Sequence, residues 1–357
     1  MRKIDRYIMQ RFLAGLLLVM LLLLSLFSFM ALAEELEDVG SGDFKLPDAL
    51  TVVFLTTPKR VVDLLPVTAL LGGLLGLGTM ANNRELIAIR TSGLSKKHIA
   101  QVITTVAVLL AISITVLQFT LVPRFEREAA NLRGKTLQGA ERGPGSTGAF
   151  WTRNGPHFIH VREVKFDRTL SDIEIYTTDS QDRLTQLVQA SSAYYIGDSS
   201  WLLSGVLRSE PGQNEVQETT QASMLWPDLL SAEQAAVLIL PLAALAPNDL
   251  VRMITNLKRN QLDTHEYEIA FWQQVSLLPG LLAMALLSLP FLLGSVRSVS
   301  ASQRVMIGGG IGIGFYLIQQ LSGHLAGILG VNPVIAILSP PLILLAIAIT
   351  AIRHRSL

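Results

Sequence analysis

Cysteine is absent from all 357 residues, which excludes disulfides, thiolate nucleophiles and cysteine-bound metals. Charge is scarce too: 16% of residues are Asp, Glu, Lys or Arg, against about 25% in soluble proteins. Also missing are a Gly-x-x-x-x-Gly-Lys-Ser/Thr phosphate loop, a His-Glu-x-x-His helix and a Gly-x-Ser-x-Gly elbow. Gly76-Leu77-Gly78 has no following lysine, and the glycine-rich run 308–314 lies inside an apolar segment. Close helix packing through small residues is the simpler reading of that run. The sequence therefore shows no ATP site, no cofactor motif and no catalytic or metal constellation. An intramembrane enzyme fits poorly, and ATP-driven work would have to come from another polypeptide.

The few charges are unevenly spread. Segments 12–33, 61–81, 99–122, 275–296, 305–321 and 331–352 are nearly charge-free, with Asp63 the one exception. The first has 22 residues; at about 1.5 Å each they cover about 33 Å, enough for a hydrocarbon core of about 30 Å. Six transmembrane helices are expected. Ala31-Leu32-Ala33 resembles a signal-peptidase site. However, the apolar run before it exceeds the usual signal length of about 7–15 residues, so it reads as a retained span.

Basic residues set the topology. Arg2, Lys3, Arg6 and Arg11 precede span one, and Arg84, Arg90, Lys96 and Lys97 lie between spans two and three. Arg297 and Arg304 lie between spans four and five, and Arg353 and Arg355 follow span six. The loop after span one instead carries Glu34, Glu35, Glu37, Asp38, Asp43 and Asp48. Both termini are thus expected in the cytoplasm, with 124–274 on the far side.

The expected organisation is spans one to three with a cytoplasmic connector at 82–98 (1–123), an inserted all-β domain (124–274), then spans four to six (275–357). Strand-like runs are Phe158-Ile159-His160-Val161, Ile173-Glu174-Ile175-Tyr176, Ala193-Tyr194-Tyr195-Ile196, 201–207 and 216–226, with turns at Asn154-Gly155, Gly197-Asp198 and Pro211-Gly212. Many short strands with regular turns suggest a sandwich or roll. Stretches 124–139 and 248–270 look helical. Segment 237–246 is apolar but too short to span, and reads as a last strand or a buried segment.

Three features invite a functional reading. In the connector, Glu85, Leu86, Ile89 and Arg90 fall on neighbouring helical faces, Gly93 would end the helix and Ser95 would cap the next. It is either a solvated link or a lever docking into a cytoplasmic partner, and 295–304 is a second segment of that kind. Lys59, Arg60 and Asp63 sit at the outer end of span two, and Arg124, Arg127, Arg133 and Lys135 just above span three. Singly these are snorkelling charges; as a group they suit an anionic headgroup. His157 and His160 are placed on alternate positions of a strand, a metal-capable spacing for which satisfied surface histidines are the simpler reading.

Particular motifs carry a resemblance across the whole chain. They are Asp5-Arg6-Tyr7, Thr57-Pro58-Lys59, Leu65-Pro66, Leu70-Leu71-Gly72-Gly73-Leu74-Leu75-Gly76-Leu77-Gly78, Arg84-Glu85-Leu86 and Ser92-Gly93-Leu94-Ser95. Arg297-Ser298-Val299, Arg304-Val305, Phe315-Tyr316 and Gln320 follow. The chain resembles the lipopolysaccharide export permeases of the LptF/LptG family, nearer the LptG side. The resemblance implies an α-helical membrane protein of the bacterial inner membrane with a periplasmic β-jellyroll-like domain. It implies an LptF-like permease as heterodimer partner, an LptB-like ATPase dimer below, an LptC-like bitopic jellyroll protein beside it and an LptA-like bridge beyond. By position, Arg84, Glu85 and Arg90 would engage the ATPase, with Leu86 and Ile89 on the same lever. Lys59, Arg60 and Arg133 would face lipid phosphates. At the outer end of span one, where family members carry lysine, this chain reads Ala31-Leu32-Ala33-Glu34-Glu35. The competing class is a non-transporting membrane scaffold or sensor whose β-domain binds proteins, distinguishable by whether an ATPase accompanies it.

Overall fold

A computed structural model describes residues 3–91, 93–136, 150–164, 169–179, 181, 183–197, 200–211, 216–227, 229, 242–259, 263–293 and 301–354. Helices α1 (Lys3–Glu37), α2 (Leu46–Asn82), α3 (Glu85–Thr91) and α4 (Lys96–Thr136) come first. Six strands follow: β1 (Phe150–Asn154), β2 (His157–Val164), β3 (Leu170–Thr178), β4 (Leu184–Gly197), β5 (Ser200–Pro211) and β6 (Val216–Pro227). The chain closes with α5 (Pro247–Arg259), α6 (His265–Leu293), α7 (Ala301–Leu329) and α8 (Pro333–His354). Among the described residues, α1, α2, α4, α6, α7 and α8 are long and apolar enough to cross a membrane.

The helices outrun the apolar segments that announced them. α1 extends past 12–33 at both ends, and α4 continues to Thr136. Seven prolines (Pro58, Pro66, Pro123, Pro279, Pro290, Pro340 and Pro341) lie inside α2, α4, α6 and α8; neighbouring helices can satisfy the freed carbonyls in such spans. Span four was expected to reach 296; its helix ends at Leu293, and 294–300 lie outside the described residues, as does most of the second lever candidate. Of 237–246, only its end is described, where Leu242–Ala244 forms a short 3₁₀ turn.

Two compact units emerge: Met1–Ala33, Thr56–Val122 and His265–Leu357 form one, Glu34–Leu55 and Pro123–Thr264 the other. In the first, α2 is the most buried span, and its glycine run explains why. A Cβ on Gly72 would lie 2.3 Å from Leu16 Cα, and one on Gly76 would lie 2.1 Å from the Arg11 carbonyl oxygen. The backbones of α1 and α2 therefore touch. On another side of α2, a Cβ on Gly73 would meet Ser288 of α6 at 2.8 Å. On α7, Gly308 and Gly312 leave room for Leu74 and Val67 of α2. Small residues let three neighbours reach one helix, the packing that membranes favour where lipid removes the hydrophobic incentive. Phe12, Leu70, Leu77, Ile103 and Met284 fill the space between.

In the second unit, the strands form one antiparallel sheet in the order β1-β2-β3-β4-β5-β6, the inserted β-domain the sequence led us to expect. β1 was not expected; its five residues pair with β2 through the hairpin at Gly155, whose φ is +57°. The sheet is not flat. His157 on β2 and Trp226 on β6 lie with ring centroids 5.3 Å apart. Four strand spacings of about 4.8 Å would separate them by about 19 Å on a flat sheet. The sheet therefore rolls until strands far apart in order face each other.

The backbone shows where it bends. Register sets Ser171 against Ser192 and Ile173 against Ala190, so Asp172 faces Ser191. Ala190 pairs with Val206 and Ser192 with Ser204, so Ser191 faces Gly205. Asp172 and Gly205 both have positive φ, +51° and +64°. Across this row the buried positions shift by one residue: Ile173, Ala190 and Val206 on one side, Leu170, Ala193 and Leu203 on the other. An aligned irregularity in three strands is a crease, the device by which sheets turn corners. It keeps Ile159, Val161, Ile175, Val188 and Trp201 on one enclosed apolar side.

The outward side carries polar and aromatic pairs instead, one across strands and one along a strand. Trp151 stacks on His160 at 4.5 Å, and the Tyr176 hydroxyl donates to Glu174 at 2.8 Å. That hydrogen bond, then His160 and Arg162, holds the Glu174 carboxyl below its ordinary range against the opposing effect of burial.

The glycine contacts predict a clear asymmetry. Gly72→Ala is expected to lower stability in detergent by about 1–3 kcal/mol through overpacking. Gly309→Ala, which meets nothing within 4 Å, should be neutral or gain up to about 1 kcal/mol of helix propensity. Thermal unfolding of the two purified variants checks this.

Candidate functional site

The connector between α2 and α4 folds as the sequence signals dictate. α2 ends at Asn82, and Arg84 adopts φ +60°, a left-handed turn that costs a non-glycine residue of order 1 kcal/mol. Such local strain is tolerated where surrounding contacts over-determine it, often at functional sites. α3 then runs from Glu85 to Thr91. Gly93 follows at φ +94°, and the Ser95 hydroxyl accepts from the His98 amide at 3.2 Å to cap α4. The expected helix, stop and cap are all present.

What α3 does with its side chains was not legible in the sequence. Leu86 is buried and Ile89 half-buried, both against the core built around α1 and α2. Leu86 and Ile89 of α3 are thus spent on the chain's own core. Glu85 is equally engaged: its Oε2 accepts from the Tyr7 hydroxyl at 2.8 Å, and its Oε1 from the Asn83 side-chain amide at 3.2 Å. The Tyr7 oxygen in turn accepts from Arg11 Nη2 at 2.8 Å and Nε at 3.0 Å. Tyr7's hydrogen bond, then Asn83's, then the Arg11 charge hold the Glu85 carboxyl below its ordinary range. Glu85 thus stays ionised at neutral pH. Arg84 is exposed; the Arg90 side chain lies outside the described ones.

A second tie lies close by. His98 Nε2 at the start of α4 sits 2.7 Å from Asp5 Oδ1 on α1. Tyr7, Arg11, Asp5 and His98 were all missed as site residues. Tyr7 and Arg11 share a helical face at i, i+4, a visible spacing, but nothing in the sequence says that a residue 78 positions away completes the group.

Of the three basic residues expected to meet lipid, Lys59 and Arg133 are paired with acids. Lys59 Nζ lies 2.7 Å from Asp63 Oδ2, one helical turn on. Arg60 is half-buried nearby. In the second unit, Arg127 lies 2.5 Å from Asp249 of α5. Arg133 engages Glu35 through both Nη2 and Nε, the latter at 3.2 Å. Glu35 is 8% exposed and the Arg133 side chain 25%. Glu35, an acid near the outer end of span one, is therefore the counter-ion of Arg133. Arg124 and Lys135 are exposed.

The two histidines do not share a side. Being three residues apart on one strand, they face opposite ways. His157 meets Thr177 at 2.9 Å and Trp226, while His160 meets Trp151 and Glu174. Burial pushes the His157 imidazole below its ordinary value. Among the described residues no group of three or more His, Asp or Glu could hold a metal.

Comparison with known proteins adds the following. The family model for the lipopolysaccharide export system permease LptF/LptG matches residues 6–354. The lipopolysaccharide export system permease protein LptG of Haemophilus influenzae is 30% identical over 341 residues, 95% of each chain. LptG of Escherichia coli strain K12 is 27% identical over 355 residues, 99% of this chain and 98% of that one.

The Glu35–Arg133 pair yields a double-mutant test. Arg133→Gln strands a largely buried carboxylate and is expected to destabilise the second unit by about 2 kcal/mol or more. Adding Glu35→Gln should recover over half of that loss. Limited proteolysis and thermal unfolding of the single and double variants measure it.

Proposed function

Since the chain belongs to the LptF/LptG family of lipopolysaccharide export permeases, we propose that it is the membrane half of an ATP-driven lipid extractor. A separate cytoplasmic ATPase drives it, and it passes lipopolysaccharide from the inner membrane toward a periplasmic β-jellyroll bridge. The observation that carries this reading is the full-length match, which takes in all six spans and the inserted sheet together. In this reading the termini and α3 lie in the cytoplasm and the rolled sheet in the periplasm, following the distribution of Lys and Arg.

Physical chemistry sets what such a protein must do. Lipopolysaccharide joins several acyl chains to a phosphorylated headgroup. Each methylene moved from an apolar to an aqueous setting costs about 0.8 kcal/mol, so whole chains cost tens of kcal/mol unless another apolar surface receives them. The enclosed side of the rolled sheet, with Ile159, Val161, Ile175, Val188 and Leu203, has matching chemistry. Lys59, Arg60 and Arg133 are the cations offered to headgroup phosphates. Lys59 and Arg133 are held by Asp63 and Glu35, so phosphate competes with a carboxylate for each. An exchange of that kind favours release as well as capture.

A partner LptF-like permease would complete the lipid cavity, an LptB-like ATPase dimer would act on the connector around Arg84, Glu85 and Arg90, and an LptC-like protein and an LptA-like bridge would take the lipid onward. The alternative, a scaffold or sensor that transports nothing, has no observation in its favour.

Purification from its native membrane in mild detergent, with mass spectrometry of bound proteins and lipids, tests the reading. A nucleotide-hydrolysing subunit and lipopolysaccharide are expected to co-purify. A preparation carrying protein partners but neither of these contradicts it and returns the scaffold.

A further inference from the structure

We propose that Tyr7 is the strap between the lever α3 and the first span, a positioning residue through which displacement of Glu85 is delivered to α1. The inference rests on the lever reading of α3 given above and adds the path by which the lever acts inside this chain.

The geometry is specific. One phenol oxygen serves two partners on opposite sides: its proton goes to Glu85 Oε2 at 2.8 Å, and it accepts from Arg11 Nη2 and Nε at 2.8 and 3.0 Å. A cation, a hydroxyl and a carboxylate in series polarise one another, so each bond strengthens the next. The Arg11 guanidinium also lies over the Tyr7 ring, 5.1 Å from its centroid. The ring can therefore swing little without losing both contacts.

The far end of the series is anchored by the main chain. Arg11 contributes the carbonyl oxygen against which Gly76 of α2 packs, so close that a Cβ there would lie 2.1 Å away. The residue that grips Tyr7 is thus held at the α1–α2 crossing. Ile8 and Phe12, which follow on the same helix, are fully buried. Leu86, beside Glu85, is buried in the same core. A pull on Glu85 has no slack to absorb it before it reaches Arg11.

The connector is tied at its other end too, by His98 to Asp5. Both ends of the α2–α4 link therefore meet the first turns of α1. Either tie alone would let α3 pivot; the pair fixes it in orientation. Glu85 then has a role distinct from docking. A partner cation that takes its carboxylate competes with Tyr7, whereas a partner that pushes on α3 moves α1.

The test uses the complete exporter, reconstituted in vesicles containing lipopolysaccharide and supplied with ATP, and reads lipid released per ATP hydrolysed. Tyr7→Phe keeps the ring and removes only the hydroxyl. Lipid released per ATP is expected to fall about tenfold or more, the scale of a lost charge-assisted hydrogen bond. Arg11→Gln, which leaves the Tyr7–Glu85 bond in place, should give a smaller fall in the same direction. Gln10→Ala, exposed on α1, should change nothing. If Tyr7→Phe acts through Glu85, combining it with Glu85→Gln should add little to either single loss. An unchanged ratio in Tyr7→Phe overturns the strap, and if Glu85→Gln still lowers the ratio the lever reading survives without it. Additive losses also overturn it, since the two side chains would then act separately. Should the wild-type assembly hydrolyse no ATP, the lever reading itself fails and the strap falls with it.

Discussion

Backbone contact between α1 and α2 is the constraint on which the rest of the membrane unit depends. Helices normally lie 8–10 Å apart, separated by side chains. Here Gly72 and Gly76 remove those side chains, and Leu16 Cα and the Arg11 carbonyl occupy the space. A contact this close has a single register, because sliding by one residue would set a side chain against a carbonyl. That register places Tyr7 beside Glu85 and Asp5 beside His98. The same short run then receives α6 at Gly73 and α7 through Leu74. One sequence of leucines and glycines thus fixes the bundle and the position of the connector in a single stroke.

Charge follows a second pattern. Three of the six basic residues singled out for an anionic lipid hold an acid: Lys59 with Asp63, Arg127 with Asp249, Arg133 with Glu35. Cations left bare near a membrane would bind phosphate tightly and release it slowly. In the proposed function a carboxylate rival would lower net affinity for phosphate while keeping the geometry, which suits a carrier better than a receptor. In the second unit the Arg133–Glu35 pair also joins α4 to the end of α1, and the Asp43 amide donates to the Thr136 carbonyl at 2.8 Å beside it. A charge that could serve the lipid is also part of what holds this unit together.

Much of this architecture is legible in the sequence, and the reasons are physical. Apolar length gives the six spans, because a hydrocarbon core tolerates little else. Asn154-Gly155 gives a turn, Gly93 a helix stop and Ser95 a cap, because each meets a local backbone requirement. What sequence reasoning misses is non-local. β1 opens on Phe150-Trp151-Thr152, which favour a strand, but its five residues end in Arg153-Asn154 and only pairing with β2 fixes them as one. The crease at Asp172, Ser191 and Gly205 exists only once three strands are aligned. Leu86 and Ile89 look like a docking face until they are seen packed into the chain's own apolar core. The sequence singles out Glu85 for docking to a partner; the residue it binds within this chain, Tyr7, lies a whole span and loop away.

The central claim is that α1, α2 and the connector move as one body. The absence of cysteine allows a pair of labels to be placed at Gln10 on α1 and Ala88 on α3, both exposed. The measurement is the label-to-label distance in the complete, transporting complex, compared with and without ATP. The account predicts one narrow distance distribution that stays put between nucleotide states. A distribution that shifts by several ångströms or splits when ATP is added would show the lever swinging free of the span, and would contradict it.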